Sequence, residues 1–157
     1  MAKQQPGKKF KYDLTAVLKV REIKERKEQE KFAEKNQAYL KEKEQEAKLA
    51  AEKRGKEEDL RTVFKKGPIS DFSKVLRRRA HLDVLKDDLD QQVERVIEAS
   101  KLLEEQRVHL IEAMKDKKIM EKHKGRKLEE YTKIMQDLEA KFMDEIATQR
   151  FKRGPQE

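Results

Sequence analysis

The sequence predicts an all-α protein made of two long helices folded as an antiparallel coiled-coil hairpin, the second helix longer than the first. Three observations carry this. Of 157 residues, 46% are Asp, Glu, Lys or Arg and only 6% are aromatic, a profile of long helices rather than of a thick globular core. Glycines number five and prolines three, so the chain has few breakers. Apolar residues then recur every seven positions, which a disordered chain of the same low hydropathy does not do.

Residues 1–9, "MAKQQPGKK", read as a flexible polar tail containing Pro6 and Gly7. The first helix is expected to start at Asp13, whose carboxylate can cap free backbone N–H groups while Tyr12 staples onto Val17. It continues to about Lys65, crossing Gly55, which costs a helix about 1 kcal/mol relative to Ala without ending it. At "KKGPIS" Gly67 can take the left-handed position after the helix and Pro68 cannot extend it. Ser70 is expected to cap the second helix, with Asp71 favourable at its positive end. Residues 10–153 thus form a single hairpin with its turn near 66–70, followed by a tail at 154–157.

The second helix carries the apolar series Val75, Leu82, Leu89, Val96, Leu103 and Leu110. A companion series three residues earlier holds Phe72, Val93, Met114, Leu128, Met135 and Phe142, broken by Arg79, Lys86, Ser100, Arg107 and Glu121. Together they predict a narrow seam. The best series of the first helix, Leu18, Phe32, Tyr39 and Leu60, has Glu25, Glu46 and Lys53 on the same stripe, so that seam depends in part on long charged stems lying over it. A turn at Gly67 sets residue 14 opposite roughly residue 120. The seam nevertheless runs on through Tyr131 and Leu138, and an apolar stripe left without an internal partner marks an interaction surface.

Chemistry is constrained by what is missing. There is no cysteine, hence no disulfide and no thiolate metal or redox site. Glu105, His109 and Glu112 share a helical face, but solvated side-chain pairing accounts for them, and no metal or other cofactor is expected. No phosphate loop, nucleophile context or pocket-forming fold appears, which argues against an enzyme. The net charge of +8, with nine Lys or Arg in the first 27 residues, favours an anionic partner. The triplet Arg77, Arg78 and Arg79 reads as a solvated helix face, without the interleaved aromatics of a single-strand binder, so no nucleic-acid partner is expected. No apolar run is long enough to span a bilayer and the polar start has no signal-peptide core, which predicts a soluble cytoplasmic protein without direct membrane insertion.

The two ends carry a family resemblance. "KKFKYDLTAVLKVREIKE", Lys8 to Glu25, and "EKHKGRKLEEYTKIMQDLEAKFMDEIATQRFKR", Glu121 to Arg153, resemble the two ends of the FliJ family, a soluble component of the flagellar type III protein-export apparatus. The matching residues are Phe10, Leu14, Leu18, Arg21 and Glu22 at the front. At the back they are Leu128, Glu130, Tyr131, Asp144, Glu145, Ala147, Arg150 and Phe151. The resemblance covers about 50 of the 157 residues; the stalk protein of virulence type III secretion is a less close match.

The resemblance implies a non-enzymatic stalk, monomeric when free, that docks into and stimulates the hexameric flagellar export ATPase by the end where the chain termini meet. It also implies contact with the membrane-embedded export gate and with export chaperones, and a peripheral location at the flagellar base. The docking residues would be Phe10, Leu14, Leu18, Arg21, Leu138, Phe142, Met143, Ile146, Arg150 and Phe151, with Lys141, Lys152 and Arg153 adding charge. The gate would face the turn at Phe72 and Leu76. The alternative is a generic coiled-coil scaffold that homodimerises through the same stripe.

Overall fold

The computed structural model describes residues 9–153. Residues 1–8 and 154–157, which contain most of the expected polar tails, lie outside the described residues. Two helices make up the fold: α1, Thr15–Lys65, of 51 residues, and α2, Phe72–Arg153, of 82. They pair antiparallel as a hairpin. Their contacts group into two compact units, one of residues 9–25 with 113–153 and one of residues 26–112.

Both helix starts fall later than expected. The Tyr12 carbonyl accepts from the Thr15 N–H at 3.3 Å and from its hydroxyl at 2.5 Å, closing a turn that holds Asp13. The first helical bond, Leu18 N–H to the Leu14 carbonyl at 3.0 Å, makes Leu14 the residue at the cap position. Tyr12 reaches α2: it is buried, and its hydroxyl lies 2.7 Å from Nδ1 of His123. At the other end the Lys66 N–H donates to the Thr62 carbonyl at 3.2 Å, and Gly67 adopts φ 111°, a region that costs residues with a Cβ. Asp71, not Ser70, immediately precedes α2, and its carboxylate lies 3.7 Å from the Lys74 ammonium.

In the unit of residues 26–112, α2 turns Val75, Leu82, Leu89, Val96, Leu103 and Leu110 inward, each buried or half-buried. The companion series lies three residues after these positions, not three before. Leu85 and Gln92 are buried and Ala99 and Gln106 half-buried, whereas Phe72 and Val93 of the expected series are 63% and 36% exposed. The reason is polar. The Gln92 amide donates to the Glu42 carbonyl at 3.0 Å and to its Oε2 at 2.6 Å. Gln106 repeats the pattern on Glu28, at 3.4 Å to the carbonyl and 2.5 Å to Oε2. Glu28 and Glu42 are two heptads apart, as are Gln92 and Gln106, so both pairs specify the same antiparallel register.

In the unit of the two ends, α2 buries Ala113 and half-buries Met120, while Met114 is 47% exposed. Leu18 is the buried residue of α1. Ion pairs join Arg21 to Asp116 and, at 2.7 Å, Lys117 to Glu25. The hydrogen bond that the Lys117 ammonium donates to the Glu25 carboxylate raises the Lys117 pKa above its ordinary value.

Candidate docking surfaces

The chain before α1 extends the pairing in the unit of the two ends. Tyr12 meets His123 with ring centroids 5.7 Å apart, and Phe10 meets Tyr131 at 5.6 Å. Among the described contacts, Phe10 with Tyr131 is the pairing farthest along α2. Beyond it α2 continues for a further 22 residues, Thr132 to Arg153. Back-bonding by Thr132 to the Leu128 carbonyl and by Thr148 to the Asp144 carbonyl is the local polar structure there.

The residues assigned to ATPase docking divide by exposure. Leu18 is buried in the seam, Phe10 is half-buried against Tyr131, and Arg21 is engaged by Asp116. Leu14 is 40% exposed. On the continuation of α2, Leu138 and Ile146 are half-buried and Arg150 is exposed. Phe142 and Met143 are 62% and 64% exposed and Phe151 90%, so these three hold most of the accessible apolar surface. The side chain of Arg153 lies outside the described ones. Phe72 and Leu76, assigned to the gate, are both exposed and belong to the other unit, beside the turn. Phe64 and Ile69 are exposed with them; sequence reading missed this pair, although two large apolar residues flanking a Gly-Pro turn are a signal.

The polar chemistry suits surface pairing. Among the described residues no group of three or more His, Asp or Glu could hold a metal ion. The Glu28 carboxyl is held below its ordinary pKa by the Lys31 ammonium and the Gln106 amide. Glu130 is lowered and Lys127 raised by their mutual pair at 2.8 Å. No described helix is long and apolar enough to cross a membrane.

The family model of the flagellar FliJ protein matches residues 10–156. The chain belongs to the FliJ family. The match spans the intervening helices as well as the two ends, and it makes this a stalk-type protein of flagellar export, within type III secretion and protein transport. None of the curated proteins matches the chain. A solved structure from Chlamydia trachomatis, described as that of a YscO homolog, is similar with a TM-score of 0.55 and 22% identity, over 94% of this chain and 100% of that one. At that identity the likeness speaks for the fold.

Proposed function

We propose that the protein is a non-enzymatic stalk whose α2 continuation docks into the hexameric flagellar export ATPase and stimulates it. One observation carries the reading. Past Tyr131, α2 keeps Phe142, Met143 and Phe151 largely exposed, and exposed apolar side chains on a helix beyond the described hairpin contacts suit a protein socket. Phe142, Met143 and Phe151 supply the apolar anchor, and Leu138 and Ile146 frame it. Arg150, with Lys141 and Lys152, orients the helix toward acidic side chains. Leu18 and Arg21 act indirectly, by fixing the hairpin from which the helix extends. Phe10 and Leu14 flank its base.

The turn end, with Phe72 and Leu76 exposed, is offered to the export gate, which places the protein in the cytoplasm, peripherally at the membrane of the flagellar base. Export chaperones are further partners. The free protein is a monomer; sedimentation that found a stable dimer hiding the α2 continuation would favour the scaffold reading.

The test is ATP hydrolysis by the matching export ATPase, with the full chain and with a truncation ending at Lys141 whose helicity is checked by circular dichroism. Stimulation by the full chain and not by an equally helical truncation supports docking by residues 142–153. No stimulation by either, under conditions where the ATPase assembles, refutes it. The fold likeness to a YscO homolog supports a second reading, a stalk of virulence secretion, which predicts stimulation of that system's ATPase in preference to the flagellar one.

A further inference from the structure

The turn end concentrates charge of one sign. Residues 61–79 hold seven Lys or Arg against Asp71 alone, in a chain where the totals are 40 and 32. Arg61 is paired with Glu58 at 3.6 Å and Lys74 with Asp71 at 3.7 Å. Arg78 leans on the Asp59 carbonyl at 3.5 Å. Among the described residues no carboxylate pairs with Lys65, Lys66, Arg77 or Arg79.

The same segment exposes Phe64, Ile69, Phe72 and Leu76 by 55%, 37%, 63% and 56%. Phe64 follows the seam residue Leu60 by four positions and Phe72 precedes the seam residue Val75 by three. In an antiparallel pair those positions fall on one flank of the hairpin. Leu76 lies one turn beyond Phe72, and Arg79 one turn beyond Leu76. Beside them the turn forms an open cleft of about 230 Å³, lined by Lys66, Lys74 and Arg78 together with Asp71, Val63 and Ile69.

We propose that this turn is a membrane-surface site that docks on a bilayer of anionic phospholipid. Phe64, Ile69, Phe72 and Leu76 enter the headgroup region, and Lys65, Lys66, Arg77 and Arg79 sit at the phosphates. Apolar side chains rimmed by cations are what an interfacial contact requires. The four apolar residues come from the end of α1, the turn and the start of α2. A partner helix lying along α2 covers Phe72 and Leu76 only, whereas a bilayer surface meets all four. Nucleic acid would neutralise the cations but gives Ile69 and Leu76 no apolar medium. Phe72 and Leu76 are the residues offered above to the export gate; here the lipid surface beside that membrane-embedded gate meets them instead, and because the contact needs no protein partner, its failure leaves ATPase docking by the α2 continuation intact.

The test is co-sedimentation of the full chain with vesicles of phosphatidylglycerol and phosphatidylcholine, against vesicles of phosphatidylcholine alone, at low and at physiological salt. Binding is expected to anionic vesicles and to weaken with salt. Each cation at an anionic surface contributes about fivefold in partition, so Arg77→Gln with Arg79→Gln lowers binding roughly 20-fold. Phe72→Ser with Leu76→Ser lowers it about tenfold or more through lost apolar burial. Lys122→Gln with Lys124→Gln, in the other unit, leaves most of it. All of these positions are exposed, and circular dichroism verifies that helicity is kept. Three results would overturn the proposal: no preference for anionic vesicles at low salt, equal loss from the Lys122 and Lys124 pair, or binding indifferent to the Phe72 and Leu76 pair, which would reduce the site to charge adsorption.

Discussion

Replacing Gln92 by Ala tests whether amides, rather than ion pairs, set the pairing of the two helices. The side chain is 3% exposed and its Nε2 donates to Glu42 twice, at 2.6 Å to the carboxylate and 3.0 Å to the carbonyl. A hydrogen bond to a charged group contributes about 1.5–3 kcal/mol. The carbonyl bond adds less, because that oxygen keeps its helical partner. Releasing the glutamine rotamers returns up to about 1.5 kcal/mol. The net loss is about 1–2 kcal/mol. The Arg21–Asp116 pair is exposed by 36% and 38% on its two side chains, and solvent screening holds such a pair to about 1 kcal/mol or less.

Urea denaturation followed by circular dichroism should therefore rank Gln92→Ala above Arg21→Ala. A cycle with Glu42→Ala should return a coupling of about 1 kcal/mol. Coupling under about 0.5 kcal/mol, or the reverse ranking, would refute the reasoning. Gln92→Leu separates the two contributions: it restores apolar burial but removes the polar pair that fixes register, so stability returns while alternative pairings become accessible.

Other perturbations probe the seam, the electrostatics and the docking surface. Ala113 is 1% exposed, so Ala113→Leu overpacks the seam and costs about 1–3 kcal/mol, while Met114→Ala, outside the seam, changes thermal stability by less than about 0.5 kcal/mol. Glu28 has a lowered pKa in the fold; its contribution is present above the ordinary glutamate value of about 4.3 and is lost as pH falls through the lower folded value. Gln106→Ala removes one of the causes, so a carboxyl titration by NMR should move the Glu28 midpoint upward. Phe142→Ser with Phe151→Ser leaves the melting curve unchanged, both side chains being exposed, and abolishes most ATPase stimulation.

The helix pair was readable from composition, heptads and the "KKGPIS" turn because each acts locally. The first-helix stripe from Leu18 to Leu60 and the Val75 series also face inward as periodicity predicts. The companion series was misplaced because apolar character was the criterion: Phe72, Val93 and Met114 are apolar at heptad spacing, but the inward positions belong to Leu85, Gln92, Ala99, Gln106 and Ala113, two of them polar and two of them only alanine. Glutamine at an inward heptad position is visible in sequence only after its carboxylate partner is known, and Glu42 lies 50 residues away. Likewise Asp13 loses the cap position because Tyr12, 111 residues from His123, anchors the chain just before it. Long-range partners thus account for Gln92 and Tyr12, whereas Asp71 at the start of α2 pairs locally with Lys74.

The surface assigned to the ATPase raises a question of stability that leads to its own test. A lone helical segment of about 20 residues is marginal in water even with favourable propensities, since nucleation is costly and most helical stability in proteins comes from packing. Residues 132–153 continue α2 past the Phe10–Tyr131 contact, with most of their side chains exposed, so they receive little packing from the hairpin. Residues 85–110 have the seam, with Leu85, Gln92 and Val96 all buried. Local opening free energy should follow that difference. In the free protein, hydrogen exchange should be fast at 132–153 and slow, approaching global unfolding, at 85–110. Adding the ATPase hexamer should slow exchange at 142–153 specifically, because docking supplies the packing that the hairpin does not. Equal protection of the two segments in the free protein would mean that the α2 continuation is stabilised by something other than a partner, and an exchange rate at 142–153 indifferent to the hexamer would remove it as the docking element.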